Sequence, residues 1–174
     1  CRREIMHAMW TLLMDPEFRK AYEEGLLWEC GDKILRRLFP RFFIYSADYP
    51  EKILLACICY LAECPCPRCF VKKSDMRLMG TVRDMNRRKA QRREDTEPIQ
   101  YDINKTRSWI FEDGLAPNSS LINKVLSSRS LLPMRSAFSE FSASLPKPLQ
   151  FNHYRLYQPD AMHEIEAGVW KRIL

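Results

Sequence analysis

One run, residues 41–69 (RFFIYSADYPEKILLACICYLAECPCPRC), restricts the folds open to this chain more than any other. Phe42, Phe43, Ile44 and Tyr45 are aromatic or β-branched and contiguous, the pattern of a short strand packed on both faces. Asp48 follows at once. A carboxylate at the carboxyl end of a core strand stands where open α/β sheets place ligands and chemistry. Residues 53–61 are almost wholly apolar and predict a helix lying back on that strand. The run closes in Cys64-Pro65-Cys66-Pro67-Arg68-Cys69, whose Cys66-x-x-Cys69 spacing can clamp one tetrahedral metal.

Around this run the composition describes a chain that folds. Hydrophobic residues make up 46% of the 174, enough for one domain with a core or for a domain with an insertion. Five glycines and a 29% charged fraction exclude collagen-like and low-complexity classes. The longest apolar run is too short to cross a bilayer and no signal-peptide pattern is present, so a protein of a reducing, intracellular compartment is expected. Five of the seven cysteines fall between positions 57 and 69, a clustering better explained by metal binding than by disulfides. The formal charge of +6 leans towards a polyanionic partner.

Residues 2–24 predict a core-facing helical pair. Ile5, Met9, Leu12 and Leu13 repeat at helical spacing, and Asp15-Pro16 opens the second helix. His7 reads as a packed histidine. Residues 26–39 predict a β-hairpin with a turn at Gly31-Asp32, and the strand at 42–45 would complete an antiparallel meander leading into an α/β arrangement. Residues 74–100 change character: Arg83, Arg87, Arg88, Lys89, Arg92 and Arg93 crowd together with no aromatic residue between them. That composition suits a solvated helix or mobile insertion for any one residue, and a phosphate-tracking arm for the cluster. Helices are predicted over 103–112, closed by Asp113-Gly114, and from a cap at Asn118 to 126. The serine- and proline-rich residues 127–148 read as an irregular connection. A last helix begins near Asp160, with Val169, Trp170 and Ile173 on its apolar face.

Two groups of residues carry candidate chemistry. Cys66 and Cys69 offer two thiolates where a structural zinc needs four ligands; His163 and His153 could close the tetrahedron in space, and Cys64 is a possible third thiolate. Cys57 and Cys59 read as buried small hydrophobes. Asp48 and Asp160 each suit the N-cap of the helix that follows, which is the plain alternative to catalysis.

The strings YSADYPEK, CPCPRC and PDAMHEIEAGVWK, together with REIMHAMWTLLMDPEFRKAYEEG and GLLWECGDKILRRLFPRFFIYSAD, resemble the Plavaka transposases of fungal DNA transposons, relatives of the CACTA-type elements. The resemblance covers nearly the whole chain. It implies a partial RNase H-like core, α/β (α+β) in class, with strands near 26–46, a helical remainder and a zinc-bearing, mostly helical insertion. Residues 1–62 and 151–174 would belong to the core and residues 63–150 to the insertion. It implies cut-and-paste transposition in the nucleus: two-metal phosphodiester hydrolysis and strand transfer on double-stranded DNA, without a membrane, by a possible homo-oligomer. Carboxylates suit Mg2+ or Mn2+, and two such ions about 4 Å apart flank a scissile phosphate.

By family position Asp48 matches the second acid of a DDE triad, with Asp160 the alternative. Cys66 and Cys69 match the zinc cysteines, and His163, in Asp160-x-x-His163, their partner. Glu164 and Glu166 are third-acid candidates by proximity alone. No strand-borne acid precedes Asp48, so the first acid, and the third with it, is expected on sequence outside a fragment that is incomplete by itself. The rival expectation is a non-catalytic, zinc-containing DNA-binding remnant or domesticated module.

Overall fold

The computed structural model describes residues 2–173, apart from the side chains of 168–170 and 172. Helices α1 (Arg2–Leu13) and α2 (Pro16–Glu24) form the expected pair. Asp15 caps α2 by accepting the Phe18 amide at 2.7 Å, and Pro16 occupies the first turn, where no amide proton is needed. The buried face of α1 is not the one its periodicity suggests. Ile5, Met9, Leu12 and Leu13 are exposed, whereas Met6, His7, Trp10 and Met14 turn inward. Two apolar stripes compete on this helix, and packing against the rest of the chain selects the one carrying the tryptophan.

Strands β1 (Leu26–Glu29) and β2 (Leu35–Leu38) pair antiparallel, Leu26 opposite Leu38 and Glu29 opposite Leu35, as the hairpin reading requires. Gly25 joins α2 to the hairpin at φ 76°, and a Cβ there would fall 2.7 Å from Cγ of Arg37. The meander ends at that point. Strand β3 covers only Tyr45–Ser46, and it pairs not with the hairpin but in parallel with β4 (Tyr157–Gln158). Phe43 and Ile44 are 79% and 67% exposed, so residues 42–45 are not a strand buried on both faces. Phe42 and Tyr45 turn into the interior from that run, and the two residues between them do not.

Helix α3 (Tyr49–Leu55) ends three residues into the apolar run at 53–61 that predicted it. Cys57 adopts φ 54°, and the chain then leaves the helix to bridge Ile58 to Leu131, with the Leu132 amide on the Cys57 carbonyl at 2.9 Å. Cys57 is buried and Cys59 partly so. Beyond a 3-10 turn (Lys73–Leu78), Thr81 caps α4 (Val82–Ala90), accepting the Asp84 amide at 3.1 Å. Helix α5 (Glu97–Phe111) starts earlier than its periodicity indicates, with Pro98 in the first turn, and Gly114 follows it at φ 71°. Ser119, not Asn118, caps α6 (Ser120–Leu126).

The serine-rich connection proves to contain α7 (Ala137–Ser144), which packs on α1 and buries Phe138 and Phe141. Its serines satisfy buried backbone: Ser142 Oγ donates to the Phe151 carbonyl at 2.8 Å and accepts the Phe151 amide at 2.8 Å. Phe42 sits among Trp10, Phe18, Tyr22, Phe138, Phe141 and Phe151, ring to ring, and this aromatic cluster joins α1, α2, α7 and the lead into β3. The fold is thus mixed: mainly helical, with two small sheets, α+β in class. A π-type helix (Ala161–Trp170) and a short α8 (Lys171–Ile173) end it. Ile173 is 71% exposed, while the side chains of Val169 and Trp170, expected on its apolar face, lie outside those described.

Candidate metal and nucleic-acid site

The parallel pairing of β3 with β4 brings together residues far apart in sequence. Ser46 lies opposite Gln158, so Asp48 and Asp160 each stand two residues beyond the paired ends of neighbouring strands. Asp48 caps α3 through Oδ1, which accepts the Glu51 amide at 2.9 Å, and its second oxygen is left for other use. Asp160 accepts the Met162 amide at 3.1 Å on Oδ1 and binds Nδ1 of His163 through Oδ2. That imidazole holds the Asp160 carboxyl below the usual carboxylate range, and Asp160 in turn raises His163, with Asp48 adding a weaker pull in the same direction. Both cap readings therefore hold; Asp48 keeps one oxygen out of its cap, whereas Asp160 engages both of its own.

Lys52, almost fully buried on α3, crosses between the same two elements. Its Nζ donates to the Gln158 carbonyl at 3.2 Å and pairs with Glu164. Glu164 is thereby engaged by a cation, and Glu166 is exposed. Lys52 stands next to Glu51 at the polar start of the apolar run, where a charged pair reads as solvent-facing, and nothing local marks it as buried. Beside it an open apolar cavity of about 530 Å3 has Tyr49, Pro65, Met76, Met79 and Tyr157 among its walls.

The cysteine loop is clamped to the basic segment. Cys69 bridges Arg92, the Phe70 amide meets the Gln91 carbonyl at 2.9 Å, and the Arg93 amide meets the Arg68 carbonyl at 2.9 Å. Residues 82–93 are thus an ordered helix and return, not a free arm. The thiols of Cys66 and Cys69 share a hydrogen bond that lowers Cys66 to about 6 and raises Cys69. The two histidines expected to join them do not. His163 is held at Asp160, and His153 is buried with Nδ1 3.3 Å from the Tyr157 hydroxyl and its ring stacked on Tyr154. Cys64 points its thiol to the Ser128 carbonyl at 4.0 Å. Among the described residues no three His, Cys, Asp or Glu side chains converge as a metal cage.

Of the expected phosphate contacts, Arg83, Lys89 and Arg92 are exposed. Arg87 pairs with Asp75 and Arg88 with buried Asp84 at 2.7 Å, each keeping part of its surface. Arg93 is a correction. It is 1% exposed, and its guanidinium donates to the carbonyls of Cys66, Arg129 and Cys64 at 2.9, 2.8 and 2.8 Å while lying over the Phe70 ring. It holds the cysteine loop, with its guanidinium committed to backbone carbonyls. Arg68 and Arg155, which the composition of 74–100 could not reveal, come to the same surface from the cysteine loop and the segment before β4.

One further pair has a catalytic look and fails the test. His7 Nε2 lies 3.3 Å from Cys57 Sγ. His7 Nδ1 accepts the Ala137 amide at 3.2 Å, so the proton sits on Nε2, and burial pushes the Cys57 thiol up to about 12. The pair is core packing, as expected of both residues.

Comparison with known proteins gives one match and two silences. The family model described as Plavaka transposase matches residues 1–174. No curated protein and no solved structure matches the chain.

Proposed function

The chain belongs to the Plavaka transposase family, and from that premise we propose that it carries part of the strand-cleavage and strand-transfer site of a DNA transposase, with Asp48 and Asp160 as two acids of that site. The observation that carries the reading is the parallel β3–β4 register, which sets the two carboxylates at matching positions beyond neighbouring strand ends. This goes one step past their expected roles as second acid and its alternative, since both can serve at once. A parallel pair of strands, each leading into a helix, is also what supports a partial RNase H-like core. In this reading residues 1–62 and 151–174 supply the core, and residues 63–150 are the insertion, of which α7 folds back onto α1.

The donor set fits a hard divalent ion in part: two carboxylates, each keeping an oxygen or a weakly committed one. Mg2+ or Mn2+ held there would supply charge stabilisation at a phosphodiester and a water or 3′-hydroxyl of lowered pKa. The chain's own residues orient the acids. The α3 amide at Glu51 fixes Asp48, His163 fixes Asp160, and Lys52 ties α3 to the segment that follows β4. His163, raised by its two acidic neighbours, also provides a proton donor beside them.

Zinc fits less well. Cys66 and Cys69 supply two thiolates and no third ligand among the described residues, so no step is assigned to it. DNA is the partner that family membership implies, and the exposed cations of α4 and its flanks support it. No described helix is long and apolar enough to cross a membrane; a nuclear site of action and a homo-oligomer belong to the proposal. The rival, a DNA-binding remnant without cleavage, is favoured by one observation: among the described residues no third acid converges on the pair.

Titration of the chain with Mn2+, followed by electron paramagnetic resonance, separates the two. Binding that weakens at least tenfold in both Asp48→Asn and Asp160→Asn supports the paired site. Binding that is absent, or unchanged by either substitution, leaves the remnant reading.

A further inference from the structure

Alongside the acid pair lies a second concavity, of about 290 Å3, with a different character. Six cationic side chains line it (Arg68, Arg88, Lys89, Arg92, Arg93 and Arg155) and no carboxylate does. Three of the six are committed elsewhere: Arg93 to backbone carbonyls, Arg88 to Asp84 and Arg155 to Glu94 at 3.0 Å. Lys89 and Arg92 meet no carboxylate among the described residues, and Arg68 meets only the neutral side chain of Gln158, at 3.0 Å. Arg88 keeps a buried Nη2 without a hydrogen-bond partner. Against these the wall sets only the thiols of Cys66 and Cys69. An unmatched cationic hollow of this kind is stabilised by an anion.

We infer that this hollow receives the terminal phosphate of a DNA strand, a phosphomonoester, and not a phosphate within the backbone. The inference deepens the DNA reading above and rests on it. A diester inside a duplex carries one charge and runs along a surface, whereas a terminal monoester carries close to two at neutral pH and presents three free oxygens to a recess. The hollow is also joined to the acid pair. Arg68 reaches Gln158, which lies two residues before Asp160, and Cys66 lines both this hollow and the apolar cavity beside Lys52. A strand end held here would place the neighbouring duplex at the ends of β3 and β4.

The test compares two short duplexes, identical except for a 5′-phosphate or a 5′-hydroxyl, by fluorescence anisotropy with the purified chain. One added charge-assisted contact predicts about tenfold tighter binding of the phosphorylated end. Arg68→Gln with Arg92→Gln should abolish that preference while circular dichroism shows the fold intact and binding to the hydroxyl duplex survives, weakened. Inorganic phosphate at matched ionic strength should erase the preference in the unaltered chain, which decides the matter if the double variant does not fold. Equal binding of the two ends, or a preference that survives in the folded variant or against inorganic phosphate, overturns the inference and leaves the DNA reading standing. Binding to neither duplex at low salt overturns both.

Discussion

Arg93 and His153 look alike in the sequence: a basic side chain in a plausible ligand position. The fold treats them alike too, burying each for structure. Arg93 enters the interior because three backbone carbonyls and an aromatic face await it, which offsets the desolvation of its charge. His153 enters as a neutral ring. Burial pushes it down to about 4, outweighing Asp95 at 3.9 Å, which pulls the other way. The sign of the consequence follows from linkage: the unfolded chain takes up a proton near pH 6.5, the folded chain only near 4. Stability from this residue is present above pH 6.5 and lost as the pH falls towards 4, a change on the order of 3 kcal/mol. Urea unfolding across that range should show the loss, and His153→Gln should flatten the slope.

At the scale of elements, the interior is held by an aromatic cluster that no single helix contains. Phe42 meets rings from α1, α2, α7 and the segment before β4, while its neighbour Phe43 points to solvent. Phe42→Ala should destabilise by about 3 kcal/mol or more, the range for removing a packed phenyl ring. Phe43→Ala should fall within about 0.5 kcal/mol of the unaltered chain. Thermal unfolding of the two variants side by side checks both. The contrast is not available from composition, since the two residues are identical and adjacent. It arises because β3 pairs only at Tyr45 and Ser46, and leaves the residues before it without a strand's alternation.

Over the whole molecule, the apolar core is built from other side chains than the cysteine pair. Leu55, Ile58, Phe138 and Tyr157 are fully buried in a cluster to which neither Cys66 nor Cys69 belongs. Zinc bound by two thiolates is not expected to carry the folding free energy that closed four-ligand sites carry. Removal of metal with a chelator should therefore shift the thermal midpoint by no more than about 2 °C, a fraction of what 1 kcal/mol would move it in a chain of this size. Native mass spectrometry should show zinc, where bound, lost from Cys66→Ser and retained by His163→Ala. Loss from His163→Ala as well would restore the expected Cys-Cys-His partnership, whereas retention by Cys66→Ser would remove Cys66 as a ligand.

Much of this is legible in the sequence itself. Local signals stood in the chain itself: caps at Asp15 and Asp48, the hairpin at 26–39, the change of character after residue 73, the cysteine spacing and the strings shared with a transposase family. Each depends on neighbours within a few residues, where propensity and capping act. What the tertiary structure decided were matters of partnership over long separations. It turned α1 onto its tryptophan stripe, ended α3 early to pair Ile58 with Leu131, and made a buried helix of a serine-rich stretch by giving its hydroxyls backbone partners. It withdrew Arg93 from the surface and held His163 at Asp160. Above all it set Asp48 beside the element carrying Asp160. A register between strands 112 residues apart (45 to 157) leaves no periodic trace in a sequence, because backbone hydrogen bonds between strands are blind to the side chains that follow them.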